Sequence, residues 1–289
     1  MVDDVRKPPS KLFRYRSNET EYFWDDLDKA IFERRFFMTP ATIQNDPFES
    51  SPSIVEVDPV RLQEILIDIH GSSPIIPKKI IEERIGREIS GRVYRSEFKH
   101  FSAHNFELVE EYSRQATKSY RSLAKRVQIA CLSEAHDSIL MWGLYSNSHK
   151  GICICFDVAM QEHVIGEGLV SAVEYCSNRP SLSVEELLSD KVGPDDAKIM
   201  QQGERLFLQK SADWAHEKEW RLFGASKDEA KGEYLKSSSL VPSGLIFGCR
   251  AEQQQVDEAF ERYGDLIPLY KCELSSNSFE LRFRELDAR

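Results

Sequence analysis

The sequence predicts an α+β protein with a mixed or mostly antiparallel central sheet, flanking helices and a helical insertion. Short runs rich in β-branched and aromatic residues recur along the chain, among them RFFMTP, VQIACLS and GICICFDV, and segments with apolar residues at helical spacing separate them. Between residues 58 and 126 the β-type runs give way to helical ones, broken near Pro74, Pro77 and Gly91. The expected organisation is therefore one domain over 1–289, with 58–126 a mainly helical insertion.

The elements follow in order. LFRYRS is a short extended segment, and Phe23, Leu27, Ala30 and Ile31 recur at helical spacing across residues 22–35. RFFMTP then reads as a strand, and Asn45-Asp46-Pro47 as a turn, because Asx side chains cap nearby amides while proline fixes φ. VQIACLS (127–133) is a buried strand, DSILMWGLYSN a helix that Asp137 or Ser138 can cap, and GICICFDV a further strand. LVSAVEYC reads as a strand, 183–190 and 195–214 as helices, and EWRLFGA as a strand. SGLIFGCR, a helix over 251–263, IPLYKCEL and SFELRFREL close the chain.

Composition narrows the function classes. With 289 residues, 41% hydrophobic and 30% charged, the chain is long enough to bury a sizeable core and excludes wholesale disorder and collagen-like repeats. Forty-eight acids against 38 bases give a formal charge of -10, which argues against a non-specific grip on nucleic acid. No apolar run approaches the roughly 18 residues that span a bilayer, so no membrane partner is expected. Cys131, Cys153, Cys155, Cys176, Cys249 and Cys272 are scattered through apolar stretches and read as reduced core thiols. The first residues lack the apolar core of a signal peptide, so the expected compartment is the cytoplasm.

Three constellations carry possible chemistry. In SILMWGLYSNSHKGICICF, Trp142 and Tyr145 are three apart and share a helix face, and His149, Lys150 and Gly151 follow at a helix-to-strand junction. These residues either line a pocket or divide into core aromatics and a solvated turn. In LFLQKSADWAHEKEWRLFG, Glu217, Glu219 and Arg221 alternate, so they fall on one strand face while Trp220 and Leu222 point into the core. That charged face is either a solvated ion-pair ladder or a site. In LFRYRS, Arg14 and Arg16 share one side of a strand, and a paired guanidinium face suits phosphate or carboxylate recognition. The Asn45-Asp46 turn adds polar groups of the kind found on functional loops.

Other patterns are set aside. His100 and His104 stand four apart on an expected helix, but no third ligand at a known spacing accompanies them, and no metal is expected. No phosphate-binding loop, dinucleotide fingerprint or HExxH occurs. Asp46, His149, Glu217 and Glu219 lack the spacing of a metal-dependent hydrolase.

LFRYRS, FFMTP…NDPFE, ACLSE…SILMWGLYSNSHKGICICFD, K…W…EKEWRL and LIFGCR together resemble the bacterial domain-of-unknown-function 2971 family over nearly the whole chain. The order of an arginine strand, a helix leading to a short strand, a central aromatic motif and a late glutamate is also similar to that of ADP-ribosyltransferases, including toxin and defence types. This second resemblance implies NAD as a substrate and an acceptor macromolecule. It assigns Glu219 to the ribose, Tyr145 to the nicotinamide, and Arg14 or Arg16 to the pyrophosphate, with Asn45, Asp46, Trp142, His149, Lys150, Glu217 and Arg221 lining the same cleft. The chain departs from the transferase pattern in lacking a Ser-x-Ser strand. The competing expectation is a non-catalytic binding or effector module whose cleft captures a small anionic ligand.

Overall fold

The computed structural model describes residues 6–55, 106–159, 170–183, 206–227 and 231–287, with the single positions 61 and 90 besides. The chain divides into two compact units, one of Met1–Glu49, Arg126–Asn178 and Leu208–Arg289, the other of Ser50–Lys125 and Arg179–Phe207.

The first unit holds a large, mostly antiparallel sheet. Its strands are β1 (Lys11–Arg16), β2 (Arg35–Pro40), β4 (Val127–Ser133), β5 (Ile152–Val158), β6 (Val170–Ala172), β10 (Glu219–Ala225), β11 (Glu233–Lys236), β12 (Leu240–Phe247), β13 (Leu269–Leu274) and β14 (Leu281–Glu285). They run in the order β11-β2-β4-β1-β5-β12-β13-β14, with β10 paired to β4 and β6. Among the described residues, only β12 and β13 run parallel within it. A separate parallel pair joins β7 (Glu174–Cys176) to β9 (Gln209–Ser211), bringing Tyr175 opposite Lys210. The second unit has its own parallel pair, β3 (Ser53–Val55) with β8 (Ser181–Ser183), and the stacked rings of Tyr120 and Phe207.

The helices cover the sheet. In the first unit these are α1 (Phe23–Asp28), α3 (Ile139–Tyr145) and α4 (Gln253–Tyr263), while α2 (Phe106–Arg126) leads into β4. Ser138 accepts a hydrogen bond from the Met141 amide, so the expected serine cap of α3 is present. The two sheet faces carry different clusters. Leu12, Leu132, Trp220 and Leu222 pack with Phe23, Leu27 and Phe36 on one, and Phe13, Tyr15, Met141, Trp142 and Cys153 on the other. Among the described residues no helix is long and apolar enough to cross a membrane.

Four expectations change. The 22–35 helix is α only to Asp28, continues as a π turn to Glu33 and ends at left-handed Arg34. LVSAVEYC is two strands, because β6 pairs with β10 while β7 turns away to β9. Of the 195–214 helix, residues 206–207 are helical, but residues 209–211 are strand and Ala212–Glu217 a 3-10 helix, because pairing with β7 outweighs the local apolar spacing. Ser183 belongs to β8, not to a helix start. Residues 184–205, His100, His104 and nearly all of the expected insertion before Phe106 lie outside the described residues.

Candidate functional site

Arg14 and Arg16 project from β1 beneath α1, where Phe23, Asp26, Phe36 and Phe37 help line a narrow, partly enclosed cleft. The sequence builds it locally. α1 turns Phe23 and Leu27 into the core and leaves Asp26 facing the arginines, and the reversal at Arg34 (φ 54°) brings β2 back alongside. Asp26 pairs with Arg16 and also accepts a hydrogen bond from the Tyr234 hydroxyl. Arg14 donates to the Phe37 carbonyl at 2.6 Å. Among the described residues no carboxylate pairs with it, and burial together with the Arg16 cation works against its charge. A guanidinium has five N–H donors, and the bond to the Phe37 carbonyl uses one of those on Arg14.

A buried ionic cluster lies on the opposite sheet face. Lys218 adopts a left-handed conformation (φ 45°) that ends the 3-10 helix, and the resulting bend aims both Glu217 and Glu219 at Lys210. Lys210 Nζ donates to Glu217 Oε2 at 2.6 Å and to Glu219 Oε2 at 2.8 Å, and lies 3.6 Å from Glu49 Oε2. Arg221 Nε donates to Glu219 Oε1 at 2.8 Å, and its Nη2 pairs with Glu49. Tyr145 donates to Glu217 Oε1 at 2.5 Å and is hydrogen-bonded by Asn45. The Trp214 ring lies 5.1 Å from Lys210 Nζ, and the Tyr175 hydroxyl accepts the Glu219 amide at 2.7 Å. Thus three carboxylates meet two cations away from water: Glu217 and Glu219 are 3% exposed and Arg221 0%.

This packing settles the titration of the cluster. Burial opposes ionisation of Glu219, yet Arg221 and Lys210 overcome it and hold its carboxyl at about 2. Burial pushes the Glu49 carboxyl up against the pull of Arg221. Burial also disfavours the Lys210 cation, but the surrounding glutamates raise it above its usual range. Burial and the bond to Glu217 raise the Tyr145 phenol. Glu219 therefore stays ionised near neutrality with both oxygens engaged, a charge clamp with no free lone pair aimed at solvent.

The remaining expected residues separate. Trp142 is 0% exposed and donates to the His136 carbonyl at 2.7 Å, so it is core rather than ligand surface. His149 stacks on Trp142, at the end of a left-handed run with Asn147 and Ser148 (φ 48°, 52° and 70° in chain order). Burial and Arg250 lower its pKa, favouring neutral imidazole. Lys150 is exposed at the same turn. A Cβ at Gly151 would stand 2.2 Å from the Arg16 carbonyl, so the close approach of that turn to β1 requires glycine. Asp46 is buried, and its Oδ1 accepts the Phe48 amide at 2.9 Å, forming the expected capped turn that delivers Glu49 to the cluster.

The expectation of one shared cleft is thus corrected. Asn45, Tyr145, Glu217, Glu219 and Arg221 gather, and Asp46 supports them from its turn. Arg14 and Arg16 do not join, because strand alternation and the β1–β4–β10 register put them on the other face. Glu217, Glu219 and Arg221 are buried rather than a solvated ladder, and Glu217 reaches the cluster from the 3-10 helix, not from the strand. Sequence reasoning missed Lys210, Glu49, Asp26 and Tyr234. A lysine amid LFLQKSADW and a glutamate just after NDPF were the available signals. Among the described residues, no group of three or more His, Cys, Asp or Glu is placed to hold a metal ion.

No curated protein and no solved structure matches the chain. The family model described as "Protein of unknown function (DUF2971)" matches residues 141–222, a stretch that holds Tyr145, Lys210, Glu217, Glu219 and Arg221 and leaves out Arg14, Arg16 and Glu49; over it the chain resembles that family.

Proposed function

We propose that the protein is a binding module for small anions and that the Arg14–Arg16 cleft is its site. One observation carries this reading: Arg14 stands in the cleft with a carbonyl but no carboxylate partner among the described residues. A partly buried cation without a counter-ion costs stability unless something anionic arrives to pair with it. Arg16 beside it sharpens the demand through like-charge repulsion. The six free cysteines support placing the module in a reducing compartment such as the cytoplasm. A thermal-shift screen of the full chain against chloride, formate, acetate, inorganic phosphate and sulfate tests the reading. At least one anion should raise the melting temperature in the wild type and leave Arg14→Met unmoved; no response to any of them overturns it.

A second reading is NAD-dependent ADP-ribosyl transfer to a macromolecular acceptor, as an effector. It is favoured by the gathering of Tyr145, Glu217 and Glu219 beneath the half-buried rings of Tyr175 and Trp214. It requires the cluster to open so that Glu219 exchanges Lys210 for the ribose. Release of nicotinamide from NAD by the purified chain, lost in Glu219→Gln, would support it. Absence of any release overturns it.

A further inference from the structure

We infer that the ion of the Arg14–Arg16 cleft is a single-atom monoanion, chloride, held by Arg14 beneath α1; the inference rests on the anion-binding reading above. Space makes the first selection. The cleft has room for about one water-sized body. Its apolar lining is fixed, because Phe23, Leu27, Ala30 and Phe36 are buried members of the core, and a close-packed interior does not widen without losing contacts. A halide ion is one atom and fits. Formate and acetate carry the right charge but bring further atoms, and phosphate and sulfate need space for four oxygens.

Charge makes the same selection. The charged residues lining the cleft are two guanidiniums and one carboxylate. Asp26 pairs with Arg16, and the Tyr234 hydroxyl bonded to its other oxygen holds it there. Lys29 pairs with Asp25, and Arg35 is shared between Glu33 and the Tyr234 carbonyl, so neither supplies a further cation. What remains is one positive charge, on Arg14, whose bond to Phe37 is to a neutral oxygen. No Arg14 nitrogen is both sealed from solvent and unpaired, so the N–H groups that Phe37 does not take are reachable by a small ion. One chloride completes this balance and takes N–H donors of Arg14 as its ligands. A dianion would leave its second charge facing the Asp26 carboxylate, and such like-charge placement discriminates between ligands.

The probe is chloride itself, followed by the linewidth of its chlorine magnetic resonance signal in gluconate buffer at neutral pH with the full chain added. A bound chloride relaxes fast, so the wild type should broaden the line and bromide should reverse the broadening. Formate, acetate, inorganic phosphate and sulfate should each need a concentration about tenfold higher than bromide to do the same. A folded Arg14→Met should leave the line narrow; Arg14→Gln, which keeps a donor for the Phe37 carbonyl, takes its place if the methionine variant does not fold. Broadening that survives in the folded variant puts the chloride elsewhere and overturns the assignment. Reversal by any polyatomic anion as readily as by bromide overturns the single-atom choice while leaving an anion site standing. If the wild type gives no broadening while formate, acetate, inorganic phosphate or sulfate raises its melting temperature, the chloride assignment fails and the anion-binding reading stands. If no anion has either effect, the cleft holds water only and both fail.

Discussion

Arg14 and Glu219 stand on opposite faces of one sheet. Phe13, the neighbour of Arg14, aligns with Ser133 of β4, and Ser133 aligns with Glu219 of β10. Direct cross-strand partners share a face and consecutive residues alternate, so Arg14 must project away from Glu219. The arginine pair and the glutamate pair therefore serve different tasks. The first has cation donors to spare, while the second is consumed by Lys210 and Arg221.

Loss of Arg14 should separate binding from stability. Arg14→Met gives up one hydrogen bond to the Phe37 carbonyl and removes a cation that repels Arg16. These effects oppose each other, so urea denaturation should show a change within about 1 kcal/mol. A loss of about 3 kcal/mol or more would mean that Arg14 is a structural residue with a partner of its own.

Lys210 should behave in the opposite way. Lys210→Ala leaves Glu217, Glu219 and Glu49 facing Arg221 alone in a buried setting. Removing one partner of a buried ion pair strands its mate, at about 3–5 kcal/mol. Tyr145→Phe, which deletes only the hydroxyl bonded to Glu217, should cost about 1–3 kcal/mol. Near-equal losses in the two variants, measured by denaturant unfolding, would contradict the central place given to Lys210.

Acid should probe the same cluster. Glu219 is depressed from its ordinary 4.5 to about 2, so on acidification the unfolded chain takes up its proton before the folded one does. Its contribution is therefore fully present above about pH 5 and fades as pH falls through about pH 2. Glu49 is raised, so its ionisation costs stability above the ordinary carboxyl range and partly offsets Glu219 at neutral pH. Denaturation at pH 7, 4 and 3 should show a steeper acid loss in the wild type than in Glu219→Gln. Parallel losses would show that the Glu219 carboxylate is not clamped.

The core prediction concerns Trp220, which is 0% exposed and donates from Nε1 to Glu134 at 2.7 Å. Trp220→Ala should cost about 3–5 kcal/mol in the same denaturation assay. A change below about 1 kcal/mol would place Trp220 on the wrong side of β10.

Much of the sheet was legible because its signals are local. RFFMTP, VQIACLS and EWRLFGA are dense in strand-forming residues, and each is a strand with the expected bounds. Asn45-Asp46-Pro47 was legible for the same reason, since an Asx turn needs only its own amides. What escaped depends on partners far along the chain. Lys210 sits in a segment whose apolar spacing fits a helix, and only its register opposite Tyr175 makes it a strand residue. Alternation correctly put Arg14 and Arg16 together, and Glu219 with Arg221. Which face each pair occupies was decided by β4 lying between β1 and β10, and no local pattern encodes that placement.

The most direct test of the central claim is calorimetric titration of the full chain with each of chloride, formate, acetate, inorganic phosphate and sulfate, comparing the wild type with Arg14→Met. The account predicts saturable one-site binding of at least one of these anions by the wild type and none by the folded Arg14→Met variant. Equal binding by both proteins, or no binding of any of these anions by the wild type, would contradict it.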